Sequence, residues 1–456
     1  MHGSSPEKSE KFVKMTTEPV RKLVLGLAGP SIVIMMTSAV YNMTDTYFVS
    51  ALGTSQVAAV GIAFPLMAVI QAIGFFFGQG SGNYMARALG ARDSDGASRM
   101  AVTGLISGFI FMSVIAAAGL AALGSLVDGL GATATIRPFA KEYITFVLLA
   151  SPWMAGATVL NQQLRFQGSA AVAMAGMLSG AILNIFLDPL FIFVFGLGVK
   201  GAAIATLISQ ITSFFILFFY AARRKGNIPV RFRYFSPSAA RYAEMFRGGV
   251  PALIRQSLMS IATIIINHFA RPYGDAAIAG ISIASRLSMF ATSIVLGFGQ
   301  GFQPVCGFNY GAKLYGRVKS AFWFCVYFSC GSLTVMSIIM ALFAPQIIAV
   351  FRNDLEVIAI GALGLRLLCI SMPFTAGIIM VNMMLQTMGK ALDASIVAFS
   401  RQGIFLIPSL FLLGPLLGLT GIQLARPVSE LISLVVVIPI LIRTLKNLPE
   451  EKSAQD

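Results

Sequence analysis

The sequence predicts an all-α integral membrane protein of about twelve transmembrane helices in two pseudo-symmetric six-helix lobes. Three observations predict it: a composition too poor in charge for water, apolar runs of membrane-crossing length, and a second half that repeats the first. Of 456 residues, 57% are hydrophobic and 11% charged. A soluble domain carries about a quarter charged residues, so lipid must cover most of this surface. Cys306, Cys325, Cys330 and Cys369 show no CxxC spacing and read as small side chains packed inside, not as a disulfide or metal site. His2 and His268 cannot make a metal cluster.

A bilayer core needs about twenty apolar residues per helix. Spans fall near 23–50, 56–79, 99–126, 140–161, 170–195, 201–222, 246–270, 276–303, 319–345, 357–386, 394–414 and 419–442. The polar first 22 residues end in Arg21-Lys22, and the following run is too long for a signal-peptide core, so the N-terminus reads as uncleaved. Lys and Arg then orient the chain. The N-terminus, the even-numbered loops and the C-terminus hold 23 of the 33 basic residues. The odd-numbered loops hold five (Arg137, Lys141, Lys200, Arg271 and Arg352), and Arg255, Arg286, Arg366, Arg401 and Arg426 fall inside spans. Both termini are expected in the cytoplasm. The +15 net charge is thereby a topology signal, and no nucleic-acid partner is expected.

The halves match at a shift of 221: Pro30 with Pro251, Gly78-Gln79-Gly80 with Gly299-Gln300-Gly301, Gly90-Ala91-Arg92 with Gly311-Ala312-Lys313, Pro152 with Pro373 and Gly168 with Gly389. One residue then drops out, and Gly201 matches Gly421, and Ser209 Ser429, at 220. Six spans per copy is even, so both copies insert the same way up, and transporters of this kind hold substrate between their halves near mid-membrane. The expected division is a tail 1–22, an N-lobe 23–222, a basic linker 223–245, a C-lobe 246–443 and a tail 444–456.

Acids inside spans are functional candidates because buried charge is costly in lipid. Asp45, Asp188 and Glu430 are the three well inside. Asp45 matches Ile266, and Asp188 matches Ser409 or Pro408, so the scaffold is duplicated but the aspartates are not. Tyr41 and Asp45 share one helix face, as do Asn184 and Asp188. Pro189 frees the carbonyl of Ile185. Such oxygens suit a hard cation such as Na⁺, and desolvated carboxylates also take protons near neutral pH. The competing reading is a hydrogen-bonded helix-packing cluster. Glu430 follows Arg426 by four residues and reads as half of a structural ion pair, while Arg255, Arg286 and Arg401 either line a hydrated cavity or snorkel. The 36 Phe and 22 Met suit a greasy, adaptable pocket, though either residue type also faces lipid.

The chain resembles the multidrug and toxic compound extrusion (MATE) family, and within it the DinF-type branch. The likeness runs from about Pro30 to Arg443 and rests on Tyr41-Asn-Met-Thr-Asp45-Thr, Asn184-Ile-Phe-Leu-Asp188-Pro189 and the run GFQPVCGFNYGAK from Gly301 to Lys313. It implies two six-helix lobes around a cleft, and export of organic, often cationic, compounds driven by Na⁺ or H⁺, with no other cofactor and no catalytic residues. By position it implies a coupling site of Tyr41, Asp45, Asn184, Asp188 and Thr206, joined by Tyr143 and Asn161, with Na⁺ held at Asp45, Asn184 and Asp188 and helix bending at Pro30 and Pro189. The partners expected are small organic cations or drugs and the lipid bilayer. A monomer in the plasma (inner) membrane is the expected form. Two rivals are a lipid-linked precursor flippase, which typically has fourteen spans, and an intramembrane aspartyl protease built on Asp45 and Asp188, which lacks its GxGD and YD motifs here. A channel is a third, mildly disfavoured by the two-lobe repeat.

Overall fold

A computed structural model describes residues 6–223, 228, 230–352 and 354–449. Part of the basic linker, 224–227 and 229, and the end of the C-terminal tail therefore lie outside the described residues. Among the described residues the regular structure is helical throughout. In chain order the helices are α1 (Pro6–Thr17), α2 (Val20–Ser50), α3 (Thr54–Gly90), α4 (Ser94–Ala121), α5 (Leu123–Gly129), α6 (Arg137–Phe166), α7 (Ala170–Pro189), α8 (Gly198–Arg223), α9 (Ala239–Ala270), α10 (Asp275–Gly311), α11 (Tyr315–Leu342), α12 (Ala344–Phe351), α13 (Leu355–Thr387), α14 (Ala391–Phe399) and α15 (Leu406–Lys446).

Eleven stretches among the described residues are long and apolar enough to cross a membrane. The last of them, Ala391–Lys446, is 56 residues long. It is broken at Gly418, whose φ of 60° and ψ of −136° lie outside any helix. A residue with a Cβ avoids that conformation, so glycine stands where the chain reverses. Two crossings on either side of the break bring the total to the expected twelve.

The residues cluster into two compact units. One comprises 1–17 and 33–253, the other 18–32 and 254–456. In the first, the N-terminal tail forms a helix that the sequence reading left as plain chain. Lys11 Nζ donates to Ser169 Oγ at 3.0 Å, and the Arg92 guanidinium stacks 4.5 Å from the Phe12 ring centre. Within that unit α6 packs against α3, α4, α7 and α8. In the second unit α13 holds the central place, packed on α10, α11, α14 and α15, and Arg317 Nη2 donates to the Glu18 carbonyl at 2.6 Å.

The repeat is visible atom by atom. Arg92 and Lys313, partners at the shift of 221, both take left-handed φ, 63° and 62°. Their glycine counterparts at the next turn, Gly168 and Gly389, have φ of 79° and 80°. Asn161 Nδ2 donates to the Ala173 carbonyl at 3.0 Å, and Asn382 Nδ2 donates to the Ala394 carbonyl at 2.6 Å. The short helices α5 and α12 also begin 221 residues apart.

Candidate functional site

The first unit holds a cavity of about 280 Å³. Its walls come from α2 (Ile34, Thr37), α3 (Phe64 to Gln71), α6 (Met154, Thr158), α7 (Met174, Met177, Gly180) and α8 (Gln210, Ser213). Four methionines (Met67, Met154, Met174 and Met177) give it soft, deformable walls. Gly180 permits the close approach of α8, since a Cβ there would sit 2.9 Å from the Ser209 carbonyl oxygen.

The expected coupling residues lie along the same helices. Asn184 and Asp188 follow Gly180 by one and two turns of α7, about 6 and 12 Å along its axis. Thr206 precedes Gln210 by one turn of α8, which runs back antiparallel. Tyr41 and Asp45 follow Thr37 by one and two turns of α2; their side chains fall outside the described ones. On the antiparallel pair α7 and α8 the polar residues therefore lie toward the same end of the unit, beyond the pocket.

Tyr143, Asn184, Asp188 and Thr206 are all buried. Asn184 Nδ2 donates to Asp188 Oδ1 at 3.1 Å, the helical spacing of four realised as a hydrogen bond. The Asn184 carbonyl oxygen, Oδ1, is buried and accepts no hydrogen bond. A carboxylate, an amide oxygen left available and a hydroxyl at Thr206 are hard oxygen donors, so the residues present fit Na⁺ as well as a proton. Pro189 ends α7, and the chain continues as a wider π-turn over Leu190–Val194, a feature frequent at functional sites.

Asn161 is also buried, but its amide is spent on the Ala173 carbonyl. Its twin Asn382 makes the same bond, so this contact is part of the duplicated scaffold. Pro30 sits inside α2, which continues as helix through it.

Glu430 is buried in the second unit, held by two partners. Arg426 Nε lies 3.6 Å from Oε1, and Thr375 Oγ1 donates to Oε2 at 2.5 Å. The ion pair read from the spacing of four is present, and Thr375 was not anticipated. The four cysteines are free thiols, three of them buried.

Comparison with known proteins places this architecture. The MatE family model matches residues 30–190 and again 251–412, the two copies of the repeat. A multidrug export protein, MepA of Staphylococcus saprophyticus, is 28% identical over 426 residues, covering 93% of this chain and 94% of the relative. A crystal structure of MATE in complex with MaL6 aligns with a TM-score of 0.89 at 30% identity, over 95% of this chain and 99% of the other. An outward-facing multidrug resistance transporter of the same family aligns at 0.90 and 27% identity, over 98% of this chain and 100% of the other.

Proposed function

The chain belongs to the MatE family of membrane transporters, and from that premise we propose that it is a Na⁺- or H⁺-coupled antiporter exporting organic, often cationic, compounds by alternating access. The observation that carries the reading is the register between pocket and acids. The methionine-lined pocket and the Asn184–Asp188 pair share α7, and Thr206 shares α8 with the pocket's Gln210. A cation or proton taken up at Asp188, with Asp45 on α2, acts on the helices that form the pocket walls. Coupling requires only that ion and cargo prefer different states of those helices. Soft methionine walls suit cargo of varied shape, in keeping with the multidrug export for which the Staphylococcus relative is named. The protein works as a monomer in the plasma membrane with both termini in the cytoplasm, and the coupling ion is its only cofactor.

Two rivals recede. A family of transporters is not one of proteases, and twelve crossings fall short of the fourteen typical of the flippases. The test is flux of a fluorescent cation in proteoliposomes under an imposed Na⁺ or H⁺ gradient, each alone. Uptake driven by one gradient supports the proposal and names the ion. No gradient-dependent flux of any dye in a broad panel, from protein of normal gel-filtration profile, returns the flippase reading to first place.

A further inference from the structure

The second unit carries its own version of the pocket, and its chemistry is inverted. At the repeat shift of 221, Ile34, Met154 and Gly180 of the first pocket become Arg255, Thr375 and Arg401; past the dropped residue, Thr206 and Gln210 become Arg426 and Glu430. Where the first unit has a 280 Å³ chamber of apolar and uncharged polar side chains, the second has a small cavity of about 20 Å³ whose polar lining is Arg255, Asn382, Arg401 and Gln402. Arg255 and Arg401 share this cavity, and Arg401 also lies within electrostatic reach of Glu430 and Arg426.

That carboxylate is already engaged, by Arg426 and by Thr375. The guanidinium groups of Arg255 and Arg401 make no hydrogen bond or ion pair among the described residues, and the two lie within electrostatic reach of each other. Arg255 is within a residue of the middle of the candidate span Ala239–Tyr273, where an uncompensated cation is expensive. The backbone is shaped to keep Arg401 there. In the first unit glycine at this place lets the next helix close in, whereas around Arg401 the chain opens into a π-turn, Ser400–Ile404, pinned by Ser429 Oγ donating to the Arg401 carbonyl at 3.1 Å. Ser429 is the repeat partner of Ser209, which closes on Gly180.

We propose that Arg255 and Arg401 form a binding site for a small monoanion, a halide or a carboxylate group, in the second unit. The cavity volume admits about one water-sized occupant, and guanidinium donors bind such charge by charge-assisted hydrogen bonds. The anion is either a free halide or the carboxylate of a zwitterionic cargo. The site is built from residues of the second unit alone, so it does not depend on which ion drives export.

The test uses the purified full chain in detergent, followed by thermal unfolding, with bromide replacing a bulky organic sulfonate (MES, which carries no carboxylate) at constant ionic strength. Wild type gains a saturable stabilisation. Arg255→Gln unfolds no earlier than wild type in the sulfonate, because like-charge repulsion with Arg401 is relieved, and in both Arg255→Gln and Arg401→Gln the bromide midpoint weakens about tenfold or more. Arg401→Lys, which keeps the charge, retains part of the response, and it carries the test if a glutamine variant fails to fold. Arg286→Gln, an exposed arginine, responds as wild type. A rhodamine free acid and its ethyl ester then separate the sources. Displacement of bromide by the acid alone identifies a cargo carboxylate, and displacement by neither identifies a free halide. Bromide no better than the sulfonate in wild type, or equal responses in Arg286→Gln and Arg401→Gln, overturns the proposal. No gradient is involved, so a failure here and a failure of coupled transport are read separately.

Discussion

At the scale of single residues, Asp188 and Asn161 were both read as site members, and the structure gives them different surroundings. Asp188 faces Asn184, whose carbonyl oxygen remains available; Asn161 is tied to a backbone carbonyl. Asp45→Asn and Asp188→Asn keep size and hydrogen-bonding capacity but remove the charge, so gradient-driven uptake per folded molecule should drop to background while gel-filtration profiles stay normal. Asn161→Ala should instead cost about 1–3 kcal/mol of stability, from a stranded carbonyl, with coupling intact; thermal unfolding beside flux distinguishes the two. Glu430→Gln removes the carboxylate that pairs with Arg426, and breaking a buried pair costs about 3–5 kcal/mol, so expression yield should fall before transport does. The rarity of intramembrane acids and a spacing of four made the Asn184–Asp188 bond legible in the sequence. Applied to Asn161, the repeat shows an asparagine present in both halves with the same bond to a backbone carbonyl, which gives it a scaffold role. Arg165, next to last in α6, is fully buried and donates to Gln162 Oε1.

At the scale of helices, span positions followed from apolar length, and the eleven crossing stretches among the described residues, the last divided at Gly418, fit the expected twelve. The pocket did not follow. Methionine and phenylalanine satisfy lipid and cavity alike, so composition cannot say which face of α6 or α7 is turned inward. α1 was missed because its apolar residues, Phe12, Val13 and Met15, are few among charges, and its order depends on partners such as Ser169 and Arg92. The break at Gly418 makes a sharp prediction. Gly418→Ala places a Cβ in a backbone region costing about 1–3 kcal/mol, and the nearest atom, the Tyr273 hydroxyl oxygen, is 3.3 Å away. A lower unfolding temperature with unchanged substrate selectivity is the expected result, read by thermal unfolding and flux.

At the scale of the whole chain, the charge bias of the loops predicts both termini and the 223–245 segment in the cytoplasm. A cysteine placed at Asn227, in the linker stretch outside the described residues, should resist an impermeant thiol reagent on intact cells in a cysteine-free background; strong labelling there would reverse the topology. The duplicated asparagine contact, the paired left-handed turns and the matched short helices show how much of one half is restated in the other. The two pockets differ in chemistry, one with four methionines in its wall and the other with two arginines. The even number of crossings in each copy has a genetic meaning. A gene for six crossings can be doubled head to tail by a single fusion, with no segment turned upside down and no rewriting of the basic loops that address each copy to the bilayer. From that moment the two descendants are free to specialise, one keeping acids beside a greasy chamber and the other collecting cations, which a dimer of identical subunits cannot do.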